Sequence, residues 1–371
     1  YKKQDSSLFA RTPENKDVKS FFVAAFEALN QAGLDFRKFE NTDRVGAFIA
    51  DRDLNSINYV EKYAPLLQKC CRDDETFDYG KFYSLLSDSD LDLDAFSDFE
   101  SINHFFSRSY NITGPQLSTA TACASGNTSI GEGFLKIKNG YIDYAVVGGA
   151  YNYDMSAMIG FTRLGALTVN PDPETASRPF DAERNGFVMS SGCGVLVLES
   201  LESALKRDAQ ILAEIKGYGY YSDAYRATDP DPEAVGSSRT IKACLKMAGL
   251  NPEDIDYING HGTSTKMNDK TETIAIKNVF GDYAYKVPVS STKSMIGHSI
   301  MAAAALEGIV CIKSINENVI HPTRNWRTRD PELDLDYVPN EPREKKVKNA
   351  LSNSFGFGGQ NASVVFSKFE K

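Results

Sequence analysis

Helical and strand-like patterns of hydrophobic residues alternate along this chain. In residues 17–34 apolar positions recur at helical spacing, and the segment ends in Ala32-Gly33-Leu34 before the strand-like run 44–50. Residues 236–250 repeat the pattern, also end in Ala-Gly-Leu, and precede the strand-like run 255–260. This internal similarity predicts a duplicated α/β architecture.

A second pair of segments extends the similarity. The strand-like run 117–121 leads into a helix of small residues that ends near residue 139, and the run 287–293 leads into another near residues 300–315. Two such halves would pack their sheets around shared helices, with a functional site at the seam between them. Residues 51–110 are the excess of the first half, and we predict an inserted cap or an oligomer surface there. A single Rossmann-like domain is the alternative, but no GxGxxG sequence opens a βα unit.

Charge and composition exclude several classes of protein. The 371 residues include 41 basic and 50 acidic side chains, a net charge of −9 without a long cationic run, which disfavours nucleic acid as a partner. The longest apolar stretch, residues 301–312, contains Glu307 and is too short to cross a membrane, and the first residues show no secretory pattern. Six cysteines match no zinc-binding spacing and indicate reduced thiols. We therefore expect a soluble, cytoplasmic protein with no membrane or nucleic-acid partner.

Cys123 is the first candidate for chemistry, because it lies where a strand-like segment gives way to a helix, within the sequence STATACASG. Unpaired backbone N–H groups and the positive end of the helix dipole would favour a thiolate there. Its small neighbours permit a tight turn and the close approach of a substrate carbonyl. A buried, inert cysteine is the alternative.

Two of the four histidines lie in Gly-rich turns at predicted strand ends of the second half. His261 lies within NGHGTST, and His298 ends the sequence KSMIGH. A solvated histidine is the simpler interpretation of each, but a pair at the same end of adjacent strands can converge on one point. Lys293 would add a positive charge that supports the thiolate. Glu307, inside an apolar Ala-rich helix, needs a buried partner such as Lys293.

The segment 353–361, NSFGFGGQN, is bounded by two strand-like runs. Alternating Gly and Phe give a backbone that can adopt positive φ and present N–H groups while the rings wall a pocket. This composition suits an oxyanion hole, and a simple Gly-rich hairpin is the alternative.

Four motifs together resemble a known family. TACASG, NGHGTST, SSTKSMIGH and NSFGFGG, in this order, are similar to the elongating, Cys-His-His type of β-ketoacyl-acyl carrier protein (ACP) synthase. The resemblance implies the thiolase fold, an α/β fold of two pseudo-symmetric βαβαβαββ halves in a five-layered α-β-α-β-α arrangement. It assigns the halves to residues 1–207 and 208–371, with the cap or dimer insertion near residues 51–110. The family's opening strand precedes the position of residue 1, so we expect the native sheet to contain a strand that this sequence does not supply.

The resemblance also implies a reaction, a decarboxylative Claisen condensation that lengthens an acyl chain. Cys123 would carry the acyl group as a thioester, and His261 and His298 would hold the thioester carbonyl of malonyl-ACP and assist its decarboxylation. The further implied site residues are Lys293 and Glu307 as a supporting pair, Phe357 as an oxyanion donor and gate, Thr263 and Thr265 as contacts of the phosphopantetheine arm, and Phe355, Gly356 and Gly358 as substrate-binding positions. The product would be a 3-oxoacyl-ACP, and no cofactor is implied beyond the arm that ACP carries.

Three related classes of protein are alternatives to this interpretation. A biosynthetic thiolase would have a second cysteine near its C-terminal Gly loop, whereas none follows Cys311. A ketosynthase of a type II polyketide pathway shares the motif residues and stays open, as does the preferred acyl length. A non-catalytic chain-length factor typically lacks the cysteine that this chain keeps at position 123.

The resemblance further implies the partners of the protein. We expect a homodimer, and an acidic ACP that docks on a basic rim at the pocket mouth. The candidates for this rim are Arg11, Arg163, Lys266 and Lys270.

Overall fold

The computed structural model describes residues 15–51, 64–72, 76–87 and 101–370. Its helices are α1 (Lys16–Ala32), α2 (Tyr79–Ser87), α3 (Ile102–Tyr110), α4 (Ser125–Lys138), α5 (Met155–Arg163), α6 (Pro173–Ala176), α7 (Leu201–Lys206), α8 (Val235–Ala248), α9 (Lys266–Phe280), α10 (Lys293–Ile296) and α11 (Ala303–Glu317). Its strands are β1 (Val45–Ala50), β2 (Gln116–Thr119), β3 (Tyr144–Tyr151), β4 (Gly192–Glu199), β5 (Glu214–Ser222), β6 (Tyr257–Asn259), β7 (Val289–Ser290), β8 (Val319–Ile320), β9 (Arg343–Glu344), β10 (Asn349–Gly356) and β11 (Gln360–Ser367).

The two helices of the internal repeat, α1 and α8, end in the same way. Gly33 caps α1 with φ of 67°, and Gly249 caps α8 with φ of 66°. The leucine after each glycine donates its N–H to the carbonyl five residues earlier, at 2.9 Å for Leu34 and 3.1 Å for Leu250. This is the Schellman arrangement, in which the left-handed cap residue is usually glycine because a Cβ is strained there. The repeated Ala-Gly-Leu sequence is therefore a repeated helix end.

The first sheet has the strand order β2-β1-β3-β4. Strand β1 pairs in parallel with β2 and β3, and β3 pairs antiparallel with β4. All six residues of β1 are buried, as expected for a strand that is covered on both faces.

The second sheet repeats this topology and adds one strand, in the order β5-β11-β10-β6-β7. Strand β6 lies in parallel between β7 and β10, and β10 pairs antiparallel with β11. Strands β6, β7, β10 and β11 thus correspond to β1, β2, β3 and β4. Strand β5 pairs with the far side of β11, whereas in the described part of the chain β4 pairs only with β3. The opening strand expected in the native sheet stays a prediction.

The sheets and helices form five layers. Helix α1 packs on β3 and β4 at one outer face, and α8 packs on β5 and β11 at the other. Helices α4 and α11 lie between the two sheets, where Ile130 and Cys311 share one core with Phe48 of the first sheet and Phe366 of the second. This layering confirms the predicted α-β-α-β-α arrangement. It also buries the N-terminal end of α4, and the segment before α11, at the centre of the molecule.

The predicted elements match the structure within a few residues at their ends. The exception is the strand-like run 287–293, because only Val289–Ser290 forms a strand and Lys293 already begins α10. Residues 52–63, 73–75 and 88–100 of the predicted insertion lie outside the described residues. The predicted division after residue 207 falls between α7 and β5 and stays a prediction. No described helix combines the length and apolar character that a membrane crossing requires.

Candidate active site

Cys123 lies in a tight turn between β2 and α4. The 3₁₀ turn Ala122–Ala124 precedes α4, and Ala122 has φ of 49°, so the chain turns sharply at this point. Ser125 supports the turn, since its hydroxyl donates to the Ala122 carbonyl at 2.6 Å and accepts from the Thr121 N–H at 2.8 Å. A Cβ at Gly126 would lie 2.6 Å from the Ala305 nitrogen of α11. The small residues around Cys123 therefore let the central helices approach closely.

His298 comes from the second half and contacts the sulfur directly. Its Nε2 lies 3.2 Å from Cys123 Sγ, and its Nδ1 accepts the backbone N–H of Ile300 at 3.2 Å. An imidazole that accepts at Nδ1 carries its hydrogen at Nε2 when it is neutral. His298 therefore presents an N–H donor to the reaction centre.

His261 lies beside His298, with 5.5 Å between the ring centroids. The Lys293 ammonium donates to Nδ1 of His261 at 3.2 Å and to its backbone carbonyl at 2.7 Å. Glu272 holds the other side of the same turn by accepting the N–H groups of His261 and Gly262, each at 2.8 Å. His261 is therefore also a donor at Nε2.

Burial keeps both imidazoles neutral. It holds the pKa of His261 and of His298 well below the usual range, and the positive charge of Lys293 lowers both further. Neutral imidazoles with Nε2–H groups suit the role that the resemblance implies, which is to donate hydrogen bonds to a carbonyl that gains negative charge.

The prediction of a thiolate at Cys123 is wrong. Burial raises the pKa of the Cys123 thiol to about 11, against the opposing effects of Lys293 and of the N–H groups of Cys123 and Phe357. The side chain is 8% exposed, and the negative charge of Glu307 acts in the same direction as burial. Burial therefore raises the pKa of the thiol more than the helix start lowers it. Cys123 is a thiol at neutral pH.

Lys293 and Glu307 form a buried ion pair, as predicted for a carboxyl inside the apolar, Ala-rich part of a helix. The Lys293 ammonium contacts Glu307 Oε1, and each side chain is only 2% exposed. Burial raises the pKa of Glu307 to about 7, and Lys293 opposes that increase. The pair fixes the ammonium against His261, because Lys293 reaches both groups at once.

The Gly-Phe loop packs directly against the Cys123 turn. Phe357–Gly359 forms the turn between β10 and β11, with φ of 79° at Gly358 and 71° at Gly359. A Cβ at Gly356 would lie 3.0 Å from the Cys123 nitrogen, so the loop and the Cys123 turn are in direct contact. The N–H groups of Cys123 and Phe357 both act on the sulfur. The oxyanion hole predicted for this loop stays a prediction, and two backbone N–H groups beside the sulfur are the donors that it would use.

Of the other predicted substrate-binding residues, Phe355 lies beside His261. The Phe355 ring is 6.1 Å from the His261 ring, and the Thr263 and Thr265 hydroxyls lie 2.9 Å apart. Thr265 also accepts the Asn268 N–H as the cap of α9. Gly358 donates its N–H to the Ala227 carbonyl at 2.7 Å, so this N–H holds the loop.

The three central side chains do not fit a metal ion. Cys123, His261 and His298 each offer a ligand atom within 4.8 Å of the others. A metal-bound histidine donates its other ring N–H to an acceptor, but here Nδ1 of both rings accepts, from Lys293 and from Ile300. Both rings therefore point a hydrogen, and not a lone pair, at the sulfur.

Sequence reasoning missed Glu272 and Ile300, which hold the two histidines. Glu272 lies 11 positions after His261, in a helix whose pattern gives no sign that it reaches back to the turn. Ile300 acts through its backbone, so its side chain carries no signal.

A cysteine with two imidazole donors and backbone N–H groups on its sulfur defines a class, the enzymes that transfer acyl groups through a thioester. The family profile described as "Beta-ketoacyl synthase, N-terminal domain" matches residues 102–204, and the C-terminal domain profile matches residues 212–327. The chain is 42% identical over 350 residues to the 3-oxoacyl-[acyl-carrier-protein] synthase 2 of Staphylococcus aureus (strain COL), covering 94% of this chain and 80% of that protein. The chain belongs to the β-ketoacyl synthase family, which confirms the resemblance.

Solved structures agree with this family. One is described as a type II polyketide synthase acyl-carrier protein in complex with its ketosynthase bound to the hexaketide; it matches with a TM-score of 0.86 and 31% identity, over 97% of this chain and 86% of that chain. The ishigamide ketosynthase/chain length factor matches with a TM-score of 0.80 and 35% identity, over 97% and 84%. The predicted thiolase fold is confirmed.

Proposed function

We propose that this protein condenses an acyl group on Cys123 with malonyl-ACP to give a 3-oxoacyl-ACP that is two carbons longer, as in fatty acid elongation. One observation carries the proposal. Cys123 Sγ lies 3.2 Å from His298 Nε2 in a buried centre where both imidazoles are neutral and donate at Nε2.

The first step transfers the acyl group. The Cys123 sulfur attacks the thioester carbonyl of acyl-ACP, a new C–S bond forms, and the C–S bond to the phosphopantetheine arm breaks. The proton of the Cys123 thiol ends on the sulfur of the departing arm. The arm belongs to ACP, so the enzyme uses no cofactor of its own. The N–H groups of Cys123 and Phe357 stabilise the tetrahedral oxyanion.

The second step makes the carbon nucleophile. His261 and His298 donate to the thioester carbonyl of malonyl-ACP, so negative charge can develop on its oxygen. The bond to the carboxylate then breaks, carbon dioxide leaves, and the electron pair forms an enolate. Lys293 supports this step by holding Nδ1 of His261 as an acceptor.

The third step joins the chains. The enolate carbon attacks the acyl-Cys123 carbonyl, and the oxyanion again lies against the N–H groups of Cys123 and Phe357. When it collapses, the C–S bond to Cys123 breaks, and the sulfur regains one proton from solvent. Thr263 and Thr265 would guide the arm, and Phe355, Phe357 and Gly356 would shape the entrance to the acyl site.

The partner would be an acidic ACP that docks near the pocket mouth. Arg163 and Lys266 are exposed, which supports them as docking residues. Lys270 is already paired with Glu332 at 2.7 Å, so it contributes less free charge. Arg11 lies outside the described residues. Exchanging Arg163 for Glu would weaken ACP substrates far more than short thioester mimics, whereas an equal loss on both would count against this surface.

The protein would act as a homodimer that pairs through β2. Among the described residues β2 pairs only with β1, and Leu117 on β2 is 42% exposed. An unpaired edge strand with an exposed leucine is a template for a second chain. Light scattering of the purified protein measures its oligomeric state and tests the proposal. A Leu117→Lys variant should shift the protein from dimer towards monomer, whereas a monomeric wild type would contradict the proposal.

The fatty acid pathway is favoured over a polyketide pathway. The identity to the Staphylococcus aureus synthase, 42%, exceeds the 31% and 35% of the polyketide-type structures. Intact-protein mass spectrometry after incubation with a mixed acyl-ACP pool tests the function, with Cys123→Ala as the control. We expect one saturated acyl adduct on the wild type and a 3-oxoacyl-ACP after malonyl-ACP is added. Absence of any adduct would refute the condensation, and a polyketide adduct would refute the pathway.

A further inference from the structure

His321 lies behind the active site and takes no part in the proposed reaction. We propose that His321 is a positioning residue, which holds the ends of strands β6 and β7 together and thereby orients His261 and Lys293. This inference rests on the proposed function, because the effect of the residue is read through malonyl decarboxylation.

The hydrogen-bond partners of His321 define its tautomer. Its Nδ1 donates to the Pro322 carbonyl at 3.0 Å, so Nε2 is left with a lone pair. Three hydroxyls lie around that nitrogen, those of Tyr257 at 3.0 Å, Thr292 at 3.1 Å and Ser290 at 3.2 Å. Nε2 has one lone pair and accepts from one of these hydroxyls at a time, so His321 lies as an acceptor between side chains of β6 and of the β7 end.

The carboxamide of Asn259 completes the link. Its Nδ2 donates to the Tyr257 hydroxyl at 3.0 Å and to the Thr292 hydroxyl at 2.9 Å. Asn259 lies two positions before His261, and Thr292 directly precedes Lys293. The network therefore links Asn259 and Thr292, which lie just before His261 and Lys293 in the chain.

Backbone pairing alone holds these strand ends weakly. Strand β7 has two residues at the edge of the sheet, and in the part of the chain that the structure describes its ladder with β6 consists of Ile258 with Val289 and Asn259 with Ser290. Lys293 must nevertheless reach Nδ1 of His261 at 3.2 Å. A short edge strand needs side-chain support to keep such a distance, and His321 supplies it.

The residues after His321 continue the support as a strap, which we define as residues 321–325. Thr323 accepts the Ser291 N–H at 3.0 Å, and the Arg324 N–H donates to the Ser294 hydroxyl at 2.8 Å. Asn325 donates to the Ser177 carbonyl at 2.8 Å, while the Ser177 hydroxyl donates to the Lys293 carbonyl at 3.2 Å. The strap thus contacts residues on both sides of Lys293.

The strap residues form none of the hydrogen bonds that hold the Cys123 turn, the Phe357 loop or His298, although the charge of Lys293 also lowers the pKa of the Cys123 thiol. The sulfur is held by the Cys123 turn, by the Phe357 loop and by His298. A change at His321 should therefore affect malonyl decarboxylation, which depends on His261 and Lys293, more than acylation of Cys123. This difference separates a positioning role from general loss of stability.

The test compares His321→Leu, which removes the acceptor, with His321→Gln, whose Oε1 can replace it. Thr240→Val is the matched control, because it removes a buried hydroxyl of α8 that donates to the Gly236 carbonyl at 2.9 Å, far from the strap. For each variant we would measure kcat and KM for malonyl-ACP decarboxylation, the rate of Cys123 acylation, and the melting temperature.

We expect His321→Leu to lower kcat for decarboxylation by about tenfold to a hundredfold, the scale of a small misplacement of catalytic groups. KM and the acylation rate should change by less than about twofold, and His321→Gln should restore most of kcat. If His321→Leu does not fold, Thr323→Ala weakens the same strap and should show the same selective fall in kcat. The inference is overturned if kcat is unchanged in His321→Leu or Thr323→Ala, or if His321→Gln is as impaired as His321→Leu. A wild type that does not decarboxylate malonyl-ACP would instead refute the proposed function.

Discussion

Ile300 donates its backbone N–H to Nδ1 of His298 at 3.2 Å, and it does so from a left-handed conformation with φ of 42°. Such a conformation in a β-branched residue costs about 1–3 kcal/mol, and it persists only where the surrounding packing enforces it. The strained residue fixes the tautomer of the histidine that faces the sulfur.

The first prediction concerns this tautomer. In ¹⁵N spectra of protein labelled at histidine, His261 and His298 should both be neutral with hydrogen on Nε2 from pH 6 to 8, because burial and Lys293 lower the pKa of both. His261→Gln and His298→Gln variants assign the signals. A protonated ring, or hydrogen on Nδ1 of His298, would contradict the geometry.

The second prediction concerns the loss of one donor. His298→Ala should lower the rate of malonyl decarboxylation by about a hundredfold to a thousandfold, as for other oxyanion donors. The melting temperature should change little by comparison. His104→Ala is a matched control, since His104 is an exposed residue of α3. Equal decarboxylation rates for His298→Ala and the control would show that His298 does not act in this step.

The third prediction concerns the reactivity of Cys123. Its pKa is about 11 because of burial, so the thiol form dominates at neutral pH. The rate of alkylation by iodoacetamide should rise about tenfold for each pH unit between 7 and 10, as the thiolate fraction rises. Mass spectrometry of the Cys123 peptide gives the alkylation rate. The exposed Cys71 is replaced by Ser so that it does not consume the reagent. A rate that levels off below pH 8 would show a thiolate at rest.

The fourth prediction concerns Glu272. Burial raises its pKa from 4.5 to about 7, against the opposing N–H groups of Gly262 and His261. Between these pH values the folded state keeps a proton that the unfolded state has released, so the free energy of unfolding falls as pH rises from 4.5 to 7, by about 3 kcal/mol for this carboxyl.

Urea unfolding across this pH range tests the sign. Glu272→Gln should show a shallower fall than the wild type, and Glu202→Gln, at an exposed position in α7, should follow the wild type. Parallel curves for the wild type and Glu272→Gln would contradict the assignment.

The fifth prediction concerns the contact between the Gly-Phe loop and the Cys123 turn. The Cβ of Gly356→Ala would lie 3.0 Å from the Cys123 nitrogen and 3.0 Å from the Thr121 carbonyl oxygen, so the oxyanion donors must separate. We expect kcat to fall by about tenfold to a hundredfold. Gly160→Ala, where a Cβ meets no atom within 4 Å, should leave kcat unchanged. Full activity in Gly356→Ala would show that the loop moves freely.

The positions of the central residues could be predicted from the sequence because each follows a local signal. Cys123 lies where a strand gives way to a helix, His261 and His298 lie in Gly-rich turns, and Glu307 lies in the apolar, Ala-rich part of a helix. These signals need only the spacing of nearby residues.

Their electrostatics could not be predicted in the same way. The thiol form of Cys123 depends on burial by residues far away in the sequence, and the helix start alone suggested the opposite. The supports from Glu272 to His261 and from Ile300 to His298 also depend on contacts that no local pattern reports. Local sequence therefore identified the reacting groups, and tertiary structure decided their protonation.

The matching left-handed caps at Gly33 and Gly249 have a consequence for the history of the molecule. A left-handed cap strains most residues that have a Cβ, so glycine at both caps is a feature that two copies of one ancestral unit would share. The same two copies now divide the chemistry, with the sulfur on one and both imidazoles on the other. An ancestor with a single copy would have needed two polypeptides to assemble one such centre.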